Sequence, residues 1–198
     1  ILAKTITTLD ILSQGRTTLS IGAAWYDREH HALGVPYPPL RERFEMVEET
    51  LQICAQMWSD NDGPYRGKHY TLEETICEPQ PIRRPPVLIG GDGEKKTLRL
   101  VAQYADIWNS TSGAALQRKI EVLQRHCDDV GRDYREIRKT LGLGPDTDPF
   151  ADHTTFMRAM QTYAELGVEM VNIPVFPGNP DPVGFVRRLG DEVVHRQQ

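Results

Sequence analysis

Two short stretches of this 198-residue sequence carry residue types suited to a flat, anionic ligand. The first is Ile89-Gly90-Gly91-Asp92-Gly93-Glu94-Lys95-Lys96-Thr97, which completes the apolar run Val87-Leu88-Ile89. Glycine lets backbone approach a ligand closely, and a helix opening at about Gly93 would aim the N–H groups of Gly93, Glu94 and Lys95 at an anion. Thr97, one turn further in, adds a hydroxyl, and Lys95 or Lys96 adds positive charge. The same residues also suit a plain strand-to-helix turn, with Asp92 or Glu94 as favourable charge at a helix start. The spacing matches neither G-x-x-x-x-G-K-[ST] nor G-x-G-x-x-G.

The second stretch is Gly22-Ala23-Ala24-Trp25-Tyr26-Asp27-Arg28-Glu29-His30-His31. Three small residues after an apolar run leave room for a ring system, and Trp25 and Tyr26 could wall it. The alternative is a tight turn followed by two core aromatics. His30 and His31 are adjacent and so point in different directions; they read as a solvated loop and make no metal site. Asn109, Ser110 and Thr111 could hydrogen-bond a ligand, although a helix N-cap at 110–112 explains them as well. Asn172 sits in an apolar run. His69, His126, His153 and His195 read as loop or helix-surface residues, and no Ser-His-Asp set, Cys-His set or close acid pair assembles, which leaves the catalytic residues unknown.

These stretches must be placed by the elements around them. Leu2, Ile6 and Leu9 predict a helix over 1–13, stopped at Gly15. Thr17 to Ile21 predicts a strand, and Leu40, Phe44, Val47, Leu51, Cys54 and Trp58 form one apolar stripe on a long helix. Residues 60–86, rich in Pro, Gly and charge, read as an insertion that holds a long loop or hairpin. Strand-helix units then follow: Val87–Ile89 with a helix through Leu98, Val101, Ala102 and Ala105; Asp106–Asn109 with a helix from Leu116 to Val130, ended by Gly131. Two more pair 138–143 with 153–166 and 169–175 with 182–195. The chain reads as one domain of a leading helix and five strand-helix units.

Alternation of this kind requires a parallel sheet with right-handed crossovers. A five-stranded doubly wound sheet and the last five units of an eight-unit barrel both satisfy it. The leading helix favours the barrel, because an open sheet has no need for one, and the start at Ile1 inside an apolar run suggests that residues upstream are missing. In both architectures ligands bind at the C-terminal strand ends, where the two stretches fall.

The sequence is 39% hydrophobic and 26% charged with a net charge of −5, the composition of a globular domain and a poor one for a general nucleic-acid binder. No apolar run is long enough for a membrane span and no signal-peptide layout opens the chain, so the expected setting is the cytoplasm. Cys54, Cys77 and Cys127 are odd in number and far apart, which predicts reduced thiols.

In order along the chain, Leu9-Asp10-Ile11-Leu12-Ser13-Gln14-Gly15-Arg16, Ile21-Gly22-Ala23-Ala24-Trp25-Tyr26, Leu33-Gly34-Val35-Pro36-Tyr37-Pro38-Pro39, Arg41-Glu42-Arg43-Phe44, Pro86-Val87-Leu88-Ile89-Gly90-Gly91, Ala105-Asp106-Ile107-Trp108-Asn109 and Gly131-Arg132-Asp133 resemble the C-terminal two-thirds of a bacterial luciferase-like monooxygenase. The likeness is to the group that uses coenzyme F420 or FMN. It implies a (β/α)8 TIM barrel, with the leading helix as helix three and the five strands as strands four to eight. It also implies cofactor contacts at Gly22, Ala23, Ala24 and Trp25 beside the ring, and at Gly91, Gly93, Glu94 and Thr97 around the phosphate.

The Gly-Ala-Ala-Trp-Tyr segment resembles the F420 subgroup, so the expected activity is hydride transfer between a deazaflavin and a small organic substrate. The alternatives are an FMN-dependent monooxygenase and a non-catalytic cofactor-binding protein. A phosphate-binding barrel lyase or isomerase lacks convincing Lys, Glu or His candidates at its strand ends. Some relatives carry an arginine where this chain has Ala23, and the family's sugar-phosphate dehydrogenases carry a glutamate where it has Trp25, which argues against sugar-phosphate oxidation. The resemblance further implies a homodimer, while the charge balance and the lack of a long apolar run predict that it binds no nucleic acid and no membrane.

Overall fold

The computed structural model describes residues 1–144, 147–175 and 178–194. Its centre is a parallel sheet of five strands: β1 (Leu19–Ile21), β4 (Val87–Gly90), β5 (Ile107–Ser110), β6 (Arg138–Gly142) and β7 (Val168–Asn172), with a separate antiparallel hairpin of β2 (Tyr65–Arg66) and β3 (Thr71–Leu72). The five strands lie side by side in chain order. A doubly wound sheet reverses direction at a switch point, and this one never does, so the winding is that of a barrel wall. Among the described residues β1 and β7 do not pair, and the wall is not closed.

Register aligns the strand ends. Ile21 lies opposite Ile89, Gly90 opposite Asn109, and Ser110 opposite Leu141, so residues 22, 90–91, 110–111 and 142 meet at one rim. Behind the sheet pack α3 (Leu40–Met57), α4 (Thr97–Tyr104) and α5 (Leu116–Val130), joined by α1 (Leu2–Leu12). Leu98, Val101, Trp108, Leu123 and Cys127 are fully buried, each large apolar side chain contributing roughly 1.5–3 kcal/mol. The α5 stripe ends where Gly131 turns left-handed (φ +70°) and the N–H of Arg132 returns to the Cys127 carbonyl. All three cysteines are free and buried, and burial raises the Cys54 thiol to about 11. No described helix is long and apolar enough to cross a membrane.

Several expectations change. On α1 the buried face is Ala3, Thr7 and Asp10, while Leu2 and Leu9 are exposed. Polar side chains are buried there because each has a partner: the Trp58 indole N–H donates to the Thr7 hydroxyl, and the N–H groups of Ile82 and Thr17 donate to the Asp10 carboxylate. A short helix, α2 (Asp27–Ala32), occupies what reads as loop. Strand β7 ends at Asn172 rather than 175. After α6 (His153–Glu165) the last helix divides into α7 (Pro182–Leu189) and a wider turn over Gly190–Val194, and His195 lies outside the described residues.

Within residues 60–86 the β2–β3 hairpin is tied to α3 by two carboxylates. Glu49 accepts the N–H groups of Lys68, His69 and Tyr70. Glu45 accepts from Lys68 Nζ at 2.6 Å and pairs with His69 Nε2 at 2.9 Å. His69 therefore has a partner that its sequence context did not reveal.

Candidate functional site

The aligned strand ends border an open cavity of about 690 Å³, lined by Ser20, Ile21, Gly22, Ala24 and Trp25 from one side and by Gly90, Gly91, Asn109 and Thr111 from the other. The volume falls within the roughly 300–1,000 Å³ of small-molecule sites. Both stretches singled out by residue type thus border one space. Gly90 has no atom within 4 Å of where a Cβ would stand, and Gly22 has only the Gly90 carbonyl at 3.8 Å. Side chains at these two positions would occupy the cavity itself.

The far wall is braced from inside the sheet. Gly91 (φ +115°) adopts a conformation that L side chains rarely reach; its carbonyl accepts from the Trp108 indole N–H at 2.9 Å, and its N–H donates to the Asn109 carbonyl at 3.0 Å. Asp92 accepts from the Ser110 hydroxyl at 2.5 Å and from the Thr111 N–H and hydroxyl at 3.0 and 2.9 Å. Ser110 and Thr111 are therefore braces of the turn and do not cap α5, which opens at Leu116 after a 3-10 turn over Gly113–Ala115. Asn109 accepts from the buried Thr140 hydroxyl through Oδ1, which leaves its amide N–H2 as a donor at the cavity.

Beyond Gly91 the helix opens at Thr97, not at Gly93, because residues 94–96 form a turn and the Gly93 carbonyl accepts from the N–H of Leu98. No described residue accepts from the N–H groups of Gly93, Glu94 or Lys95. A Cβ on Gly93 would stand 2.8 Å from Thr97 Oγ1, so glycine is what lets the hydroxyl sit over the turn. The Glu94 carboxylate pairs with Lys119 at 2.9 Å and Arg118 at 3.1 Å, and its carbonyl accepts from His126 Nε2 at 2.7 Å. Those two cations hold the Glu94 carboxyl below its usual range. Its negative charge is thereby compensated on the α5 side, and only its backbone N–H remains for an anion.

The near wall differs. Trp25 is 85% exposed with its ring 5.3 Å from that of Tyr26, so the aromatics lie outside the core. Ala23 is half-buried against the core and does not line the cavity. Ala24 has φ +56°, unusual for a residue with a Cβ. Arg43 of α3 reaches both alanine carbonyls; the sequence offered it only as part of a motif. Asn172 is exposed at the β7 end and outside the cavity lining. Among the described residues no cluster of three His, Cys, Asp or Glu side chains could hold a metal.

The arrangement fits a planar ring with an anionic tail: an open glycine floor, an aromatic wall, one amide donor, and a turn of free N–H groups next to the floor.

Comparison with known proteins gives the family and the fold. The luciferase-like monooxygenase family model matches residues 1–146. The chain is 31% identical over 172 residues to an uncharacterized protein of Mycobacterium tuberculosis, covering 86% of this chain and 56% of that one. It is 26% identical over 172 residues to an F420-dependent glucose-6-phosphate dehydrogenase of Microbacterium testaceum (85% and 50%). It is 25% identical over 128 residues to an FMNH2-dependent dimethylsulfone monooxygenase of Pseudomonas putida (65% and 34%). The chain spans about half the length, or less, of these curated relatives. A solved F420-dependent secondary alcohol dehydrogenase superposes with a TM-score of 0.80 at 17% identity, covering 98% of this chain and 73% of that one, which establishes the fold as that of a luciferase-like barrel.

Proposed function

The chain belongs to the luciferase-like monooxygenase family, and from that premise we propose that it forms the cofactor cradle of an F420-dependent oxidoreductase acting on a small organic substrate. The observation that carries the reading is the single cavity joining the Gly22–Trp25 strand end to the Gly90–Gly91 strand end beside a turn of unpartnered N–H groups. Its five parallel strands take the places of barrel strands four to eight. F420, when bound, supplies hydride transfer to or from a substrate carbon. The protein's part is positional. Gly22, Ala24 and Gly90 leave room for the ring, Trp25 walls it, and Asn109 donates a hydrogen bond. The N–H groups of Gly93, Glu94 and Lys95, with the Thr97 hydroxyl, would hold the phosphate.

Trp25 and Ala23, at positions where sugar-phosphate dehydrogenases of this family and other relatives differ, argue for a substrate other than a sugar phosphate. The reading extends to a homodimer in the cytoplasm. Titration of the protein with F420 and with FMN, each oxidised and reduced, tests it. Saturable binding of F420 in preference to FMN is the expected result, preference for FMN would move the protein to the flavin monooxygenases, and uptake of neither would remove the reading.

A further inference from the structure

Arg43 stands on α3, outside the cavity lining, yet one of its nitrogens donates to two consecutive carbonyls of the near wall: Nη1 lies 2.7 Å from the Ala23 oxygen and 2.7 Å from the Ala24 oxygen. Its Nε donates to the Pro38 carbonyl at 3.0 Å, and its guanidinium carbon lies 4.0 Å from the centre of the Tyr37 ring. No other hydrogen bond among the described residues involves residues 23 to 25. Between the two carbonyls sits Ala24 at φ +56°, a conformation that crowds its Cβ against the next carbonyl. Ala24 and Trp25 both line the cavity.

We propose that Arg43 is a positioning residue for this site: its guanidinium holds Ala24 in the left-handed turn that keeps Trp25 at the ring cavity. This rests on the reading of the cavity as a cofactor site. The strained turn persists because a charged donor engages the carbonyls on both sides of it, and charge-assisted hydrogen bonds are about twice as strong as neutral ones. Stacking on Tyr37 and the bond to Pro38 fix the fork in place, which a lysine ammonium, a point charge without a flat face, does not reproduce. Trp25 has almost no packing of its own and takes its position from this contact.

The test compares the parent chain with Arg43→Lys, Arg43→Met and the double variant Arg43→Lys/Ala24→Gly, by F420 affinity and by the rate of tryptic cleavage after Arg28. Loss of the fork weakens F420 binding roughly tenfold and speeds cleavage to a similar degree. Glycine adopts positive φ without steric cost, so Ala24→Gly in the Arg43→Lys background recovers about fivefold of the lost affinity and slows cleavage again. A role limited to docking the 36–39 segment predicts no such recovery. Arg43→Lys binding as tightly as the parent, or a double variant no better than the single one, overturns the inference and leaves the site reading intact. A parent that takes up neither F420 nor FMN, with cleavage still following the Arg43 and Ala24 pattern, overturns the site reading and leaves the loop assignment standing.

Discussion

The two walls of the cavity are held by different means. The Gly91–Thr97 turn is built into the sheet: Trp108 and Asp92 tie it to the neighbouring strand end, and Leu98, fully buried, anchors the helix that follows. The Gly22–Tyr26 segment has no such internal support, exposes its aromatics, and borrows its one brace from α3. On the proposed reading this contrast divides the labour: the braced side would fix an anionic tail, and the exposed side would shape the ring pocket.

Perturbations graded by depth sharpen this contrast. Leu98→Ala leaves a cavity under the braced wall and costs about 2–5 kcal/mol in urea unfolding, the largest effect. Asp92→Ala removes the acceptor of three hydrogen bonds and costs about 1.5–3 kcal/mol, with loss of cofactor affinity. Equal stability of the Asp92 variant and the parent would show that the turn is not braced as described. Gly91→Ala forces a side chain to φ +115° and costs roughly 1–2 kcal/mol. On the exposed side, Trp25→Ala changes stability by less than about 0.5 kcal/mol while weakening F420 binding, because the ring is exposed. A Trp25 variant that unfolds early would contradict the assignment of that wall as peripheral to the core.

The hairpin gives a pH-dependent check outside both walls. Hydrogen bonds from Lys68, His69 and Arg41 lower the Glu45 carboxyl to about 2. For Glu49, burial acts to raise the carboxyl, and the N–H groups of His69, Lys68 and Tyr70 outweigh it, so its pKa too is lowered. A carboxyl lowered on folding stabilises the fold above its unfolded value near 4.5, and that contribution disappears as pH falls toward 2. Protection factors at residues 65–72, the exchange rates divided into the intrinsic rate at each pH, should therefore fall between those limits in the parent and stay constant there in Glu45→Gln/Glu49→Gln.

Much of this was legible in the sequence because it follows from local pattern. Val87–Ile89 reads as a buried strand, the α5 stripe ends at a glycine where the periodicity stops, and small residues after two strands mark the rim of the site. What the pattern hides is contact across the chain. Asp92 and Ser110 are 18 positions apart, and Arg43 is 20 positions from Ala23, so neither brace has a spacing to recognise. Thr7 and Asp10 were invisible as buried residues because their partners, Trp58 and the N–H of Ile82, lie 51 and 72 positions away. The helix start slipped from Gly93 to Thr97 because a glycine and two lysines suit a turn as well as a first helical turn.

The most direct test is to fill the space between the walls. Gly90 has open volume where a Cβ would stand and no positive φ to oppose a side chain, so Gly90→Leu puts four carbons into the cavity without forcing the backbone. Measured by equilibrium titration with F420 on folded protein, the variant should lose saturable binding that the parent shows, with the unfolding midpoint little changed. A Gly90→Leu protein that binds F420 as the parent does would contradict the central claim, because the cofactor would then rest somewhere other than between Gly90 and Trp25.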